Sequence, residues 1–146
     1  MTPGHGGADY RSVALAVREV GLARVLLAAG AWLFVVCVLI QVFLVGLDIF
    51  AKVDASFHRD FAYTFGWLAP ALVLLSRTRG VSRRAQSLAL VLLLLFAIQT
   101  VLPSLRQYVP VFGGLHTVNA LAVFGVAATL ARRATAEIRE NPAPAP

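Results

Sequence analysis

The chain has 146 residues, of which 59% are hydrophobic and only 14% charged, with a mean hydropathy of +0.78. A water-soluble domain carries about a quarter charged residues, and here the apolar residues are blocked into runs of 16 to 23, lengths that suit the hydrocarbon core of a bilayer. This excludes a soluble enzyme, a disulfide-stapled secreted module and a disordered chain; the lone Cys37 excludes a disulfide framework or thiolate metal cluster.

The first 24 residues predict a cytoplasmic segment that is partly helical. Asp9 is placed to cap a helix whose Val13, Val17 and Val20 form one stripe. That stripe either lies on the membrane surface or extends the first span. The glycine-rich start lacks the pattern of a cleavable signal peptide. Four spans follow, over about residues 25–47, 58–76, 85–102 and 113–131. At 1.5 Å per residue they are about 24 to 35 Å long. Continuous apolar runs without alternation exclude a β-barrel. Pro70 is expected to bend the second span, Pro103 to end the third, and Pro110 to shape the loop before the fourth. Residues 132–146 read as a cytoplasmic tail, its last six residues disordered. Cys37, Trp32 and Trp67 read as packing residues, and Asp48 and Asp54 as solvated loop charges. The predicted fold is an all-α, integral membrane four-helix bundle.

Arginine sets its orientation. Ten of the 13 basic residues fall before the first span, between the second and third, and after the fourth. By the positive-inside rule both termini are cytoplasmic in the cell membrane. The net charge of +6 is therefore topological, and nucleic acid is not an expected partner. The expected partners are the lipid bilayer, with a redox or membrane-protein partner or a second copy of the chain.

The two halves resemble each other. Ile40-Gln41-Val42-Phe43-Leu44 matches Ile98-Gln99-Thr100-Val101-Leu102, and Phe57-His58 matches Leu115-His116, all at one offset of 58. Gln41 to His58 and Gln99 to His116 are each 17 residues. Apolar identities follow from composition, but rare Gln and His recurring at one separation do not. Each half holds two spans, so the copies run the same way, and a pseudo-twofold axis along the membrane normal follows.

His58 and His116 then open the second and fourth spans at matching depth, roughly 24 to 28 Å from the cytoplasmic boundary. A twofold axis would turn the imidazoles toward each other across the bundle, where side chains on facing helices hold cofactors. Two facing histidines without further ligands favour haem iron, here haem b, over zinc, whose structural sites take four ligands. Ala62 and Ala120 would leave room for a macrocycle, with Phe61, Phe65, Asn119 and Val123 on the same faces. Gln41 and Gln99 are candidates to hydrogen-bond the histidines or each other, and Arg59, Arg106 and Tyr108 to pair with propionates. Arg59-Asp60 reads as a local ion pair.

Each half, with Gln near the outer end of its first span and His opening the next, resembles the four-helix unit of haem A synthase. The residues that carry the likeness are His58-Arg59 and Leu115-His116-Thr117-Val118-Asn119-Ala120. The resemblance implies a bis-histidine haem bundle with a pseudo-twofold axis. That family has two such units where this chain has one, and its acidic residue in the first outer loop has no counterpart here. Gln41-Val-Phe-Leu-Val-Gly46 and the Leu-His-x-x-Asn-Ala start of the fourth span also resemble a group of small uncharacterised bacterial four-span proteins. The expected function is electron transfer, haem handling or redox sensing. The alternatives are a non-catalytic subunit or scaffold held by a Gln/His hydrogen-bond cluster, or a small quinone or small-molecule carrier. No nucleophile–base pair, phosphate loop or paired buried carboxylates point to an enzyme.

Overall fold

The computed structural model describes residues 6–140, with side chains described from residue 19 onward. Among these residues it is all-helical: α1 (Gly6–Ala51), α2 (Ser56–Phe65), α3 (Leu68–Ser76), α4 (Arg83–Leu105) and α5 (Val111–Glu140). Three segments are long and apolar enough to cross a membrane, namely Glu19–Ala51, Arg83–Leu105 and Val111–Glu140. Their outward faces carry large apolar side chains such as Val42, Phe43, Leu94, Val101 and Leu121. Such surfaces call for lipid rather than water.

The expected second span is divided. Pro70 has no N–H for the Gly66 carbonyl, and its ring crowds that carbonyl. Gly66 O instead accepts from Ala69 N at 3.2 Å, and the helix is interrupted at Gly66–Trp67. Glycine is required there, because a Cβ at Gly66 would stand 2.9 Å from the Phe96 ring. α2 and α3 hold 10 and 9 residues, each too short alone to cross a bilayer.

Other boundaries also move. At the N-terminal side the helix extends the first span: α1 runs unbroken from Gly6 and takes Asp9 inside the helix rather than at its cap. Lys52, in a left-handed conformation with φ of 58°, ends α1. Val53 N reaches back to Leu47 O at 3.3 Å, closing the helix end over the left-handed residue. Pro103 does not end the third span; α4 runs past it to Leu105. α5 continues past residue 131 to Glu140, so Arg132, Arg133 and Arg139 of the expected tail lie in the same helix as the fourth span. Residues 141–146, expected to be disordered, and His5 lie outside the described residues.

α1 packs against α5 on one side and α2 and α3 on the other, and α4 closes the ring between α3 and α5. Packing is tightest at the end that carries the arginines. Leu27, Ala31, Phe34, Ala69, Leu72, Ala85, Ala89, Leu92, Ala127, Leu130 and Ala131 are almost wholly enclosed there or in mid-bundle. Small residues let the helix backbones approach closely. Polar bonds pin the same end. Arg24 donates through Nε and Nη2 to Gly80 O at 3.0 and 2.6 Å. Gly80 needs its φ of +85°, and a Cβ there would strike Val20. Ser82 caps α4 by accepting from Ala85 N, and both its amide and hydroxyl donate to buried Glu137, which also accepts from Arg133 Nε. α1, the loop before α4, and the end of α5 therefore meet at one basic end.

Candidate functional site

At the opposite end, enclosure loosens: Gln41, Phe65, Leu102 and Val123 are the buried side chains, and their neighbours are only partly covered. Phe34, Phe65 and Phe96, from α1, α2 and α4, form a floor. Their ring centres are 5.3 to 5.6 Å apart, in edge-to-face geometry that suits aromatic quadrupoles. Phe61 stacks on Phe65 at 5.3 Å. His58 lies two helical turns above Phe65 on α2, and Gln99 one turn above Phe96 on α4.

His58 and His116 meet above this floor. Their ring centres are 6.4 Å apart, with planes at 74°. An imidazole nitrogen binds a metal at about 2 Å, so two rings on opposite sides of one metal have centres roughly 6 Å apart. The observed spacing fits that requirement. α2 and α5, which supply the rings, occupy opposite corners of the bundle, so both side chains point inward.

Each ring is held in the same way. His58 Nδ1 donates to Gln41 O at 3.3 Å, and His116 Nδ1 donates to Gln99 O at 3.1 Å. A carbonyl can only accept, so the proton sits on Nδ1 and the Nε2 lone pair is left as the donor for a metal. The helices that supply the two carbonyls differ. Gln99 O lies four residues before Pro103, which has no N–H to offer it, whereas Gln41 lies four residues before Val45. The carbonyl relieved of an in-helix partner makes the shorter bond to its histidine.

The glutamine side chains also differ. Gln99 Nε2 donates to His116 Nε2 at 3.1 Å, and Asn119 Nδ2 donates to Gln99 Oε1 at 2.6 Å and to Leu95 O at 2.9 Å. Gln41 is buried, and its Oε1 has no hydrogen-bond partner. The glutamines do not bond each other.

Other candidates lie outside this cluster. Arg59 is exposed and pairs with Asp60 at 3.2 Å, the local ion pair expected of them. Arg106 caps α4 and is near enough for its charge to reach His116; Tyr108 is exposed. Cys37 is buried in the core. Trp32 and Trp67 are not packing residues, being 45% and 79% exposed. Trp67 occupies the Pro70 break, and Trp32 is turned outward with its indole N–H on Thr135 Oγ1 at 3.2 Å. Asp48 belongs to α1, not to a loop. Asp54 is a loop residue; the amide and hydroxyl of Ser56 hold its carboxyl below the usual value. No group of three or more His, Cys, Asp or Glu side chains able to hold a metal occurs among the described residues, so a metal here would rest on the two histidines and a ligand of its own.

Sequence spacing alone did not reveal Asn119 as a hydrogen-bond partner of Gln99, nor the role of the Gln carbonyls. The Pro four residues after Gln99 was the available signal. No protein-family model, curated protein or solved structure matches the chain.

Proposed function

We propose that the protein is a four-span membrane bundle, with both termini cytoplasmic, that holds haem b between His58 and His116. The divided α2–α3 segment serves as the second span, and two parallel hairpins related by a pseudo-twofold axis build the site. The observation that carries this reading is the pair of imidazoles 6.4 Å apart, each anchored through Nδ1 to the Gln carbonyl 17 residues earlier. The Nε2 atoms of His58 and His116 would hold the iron, and binding would displace the Gln99 amide from His116. A net hydrogen bond is worth about 1 kcal/mol, too little to hold His116 against coordination. Ala62 and Ala120 border the open end, and the Phe34–Phe65–Phe96 floor would exclude water beneath the macrocycle. Arg106 is the better placed of the two arginines to meet a propionate. Bound haem would supply one-electron redox chemistry, in electron transfer, haem handling or redox sensing.

A second reading, an interhelical Gln/His scaffold, draws on the Asn119–Gln99–His116 chain. A scaffold of that kind is stabilising when every member is satisfied. The unpartnered Gln41 Oε1 leaves this one incomplete and favours a ligand site.

Purification in detergent from haem-replete cells, with reduced-minus-oxidised spectra, separates the two. Haem binding gives a Soret band with sharp reduced bands, weakened or shifted in His58→Ala and in His116→Ala. A colourless protein whose thermal stability falls in the same variants would establish the scaffold instead.

A further inference from the structure

On the outward side of the basic end, an open groove of about 440 Å³ is lined by Trp32 of α1 and by Arg132, Thr135, Ala136, Arg139 and Glu140 of α5. We infer that this groove binds the headgroup of an anionic phospholipid. The inference rests on the membrane setting of the helices and not on the histidines.

Four features of the groove point to that ligand. Arg132 and Arg139 are seven residues apart, so they project from one face of α5 about 10 Å apart along its axis. Neither makes an ion pair among the described residues, whereas their neighbour Arg133 is paired with Glu137 at 3.1 Å on the inward side. Ala136 keeps the floor low, and Trp32 forms the wall with its indole fixed by the bond to Thr135. A partly exposed indole tied at its polar edge suits the headgroup–hydrocarbon boundary.

The surface beyond the groove suits the rest of a lipid. Trp32, Val36, Leu39 and Phe43 recur along one side of α1 and are all exposed. From Trp32 to Phe43 the strip is about 16 Å long, close to the half-thickness of a bilayer core, about 15 Å. A lipid with its phosphate beside the arginines would lay an acyl chain along this strip. A free phosphate would use the arginines and leave the strip without a role.

Glu140 opposes the two arginines, so the described lining residues carry one net positive charge. Near a membrane surface each basic charge favours an anionic lipid roughly five-fold. The charge balance gives the inference its sign test.

The experiment uses the full chain with Trp67→Phe, which leaves Trp32 as its one tryptophan, in lipid nanodiscs. Phosphatidylglycerol or phosphatidylcholine with brominated chains is present at equal mole fraction in a phosphatidylcholine background. Brominated phosphatidylglycerol is expected to quench Trp32 more strongly, with an apparent preference of roughly five-fold. The preference should vanish in Arg132→Gln/Arg139→Gln, rise in Glu140→Gln, and persist in Arg79→Gln/Arg84→Gln, which removes charge elsewhere at the same end. Unchanged Trp32 emission in plain phosphatidylcholine discs verifies that each variant is folded. Equal quenching by the two lipids overturns the inference. So does a preference that survives loss of both groove arginines, which would reflect overall charge. Abolition of the preference by millimolar inorganic phosphate at constant ionic strength overturns it in favour of a free-anion site.

Discussion

Pro103 has no N–H to give the carbonyl of Gln99 four residues before it, and that carbonyl accepts the Nδ1 proton of His116 at 3.1 Å. A proline that looks like a helix terminator thus lies inside α4 and relieves an oxygen of its in-helix partner. The corresponding oxygen in the first half, Gln41 O, has Val45 four residues on and holds His58 at 3.3 Å. Replacing Pro103 by Ala should return the Gln99 carbonyl to its own helix. The helix should gain stability, since an interior proline costs about 3 kcal/mol. The His116 ring should be held less firmly. The checks are a raised midpoint in thermal unfolding and faster exchange of the His116 Nδ1 proton by NMR, with the His58 proton unaffected. Slower exchange at His116 would show that Pro103 does not govern its anchor.

The aromatic floor should dominate the stability of the central bundle. Phe34 is wholly enclosed and meets both Phe65 and Phe96 edge-on. Phe34→Ala is expected to cost about 3–5 kcal/mol, measured by denaturant unfolding in detergent. Phe61→Ala, at the half-buried margin, should cost less.

Glu137 joins α5 to the start of α4 through Ser82 and keeps Arg133 beside it. Glu137→Ala should destabilise the basic end by roughly 3 kcal/mol. Arg133→Gln should cost at most about 1 kcal/mol, because the arginine is partly solvated and Ser82 remains on the carboxylate. Amide exchange at residues 82–85 locates the effect: it should accelerate strongly in the first variant and little in the second.

Asp54 gives the loop before α2 a pH dependence. Its carboxylate accepts the Ser56 amide at 2.7 Å, and that bond and the Ser56 hydroxyl hold its folded value below the ordinary one. A depressed carboxylate contributes stability that is fully present above the ordinary value and is lost as pH falls through the lower, folded value. Acidification through that window should therefore fray the start of α2, seen as faster amide exchange at residues 56–58. Asp54→Ala should show the frayed behaviour at every pH, with no such transition.

Much of the architecture is legible in the residues themselves. Lipid-length apolar runs such as Ala85–Leu102 need no partner to declare themselves, because a bilayer sets the length of a helix that crosses it. His58 and His116 stand out for a similar reason: a polar ring beside long apolar runs is costly unless it is used. Their shared separation from a glutamine singled them out before any fold was known. Helix boundaries were less legible. Pro103 reads locally as a stop, and Arg132 to Arg139 as a tail, since local propensity contains no information about what a neighbouring helix will supply.

From the chain alone, then, come the helical membrane character, the basic end and the two histidines to watch, because hydropathy and charge act residue by residue and follow chain order. Only the tertiary structure decided that the rings stand 6.4 Å apart, that backbone carbonyls hold them, that Gln99 is engaged while Gln41 Oε1 is unpartnered, and that Trp32 faces outward beside a basic groove. Those facts depend on how helices rotate and tilt against one another, and that is settled by packing among side chains far apart in sequence.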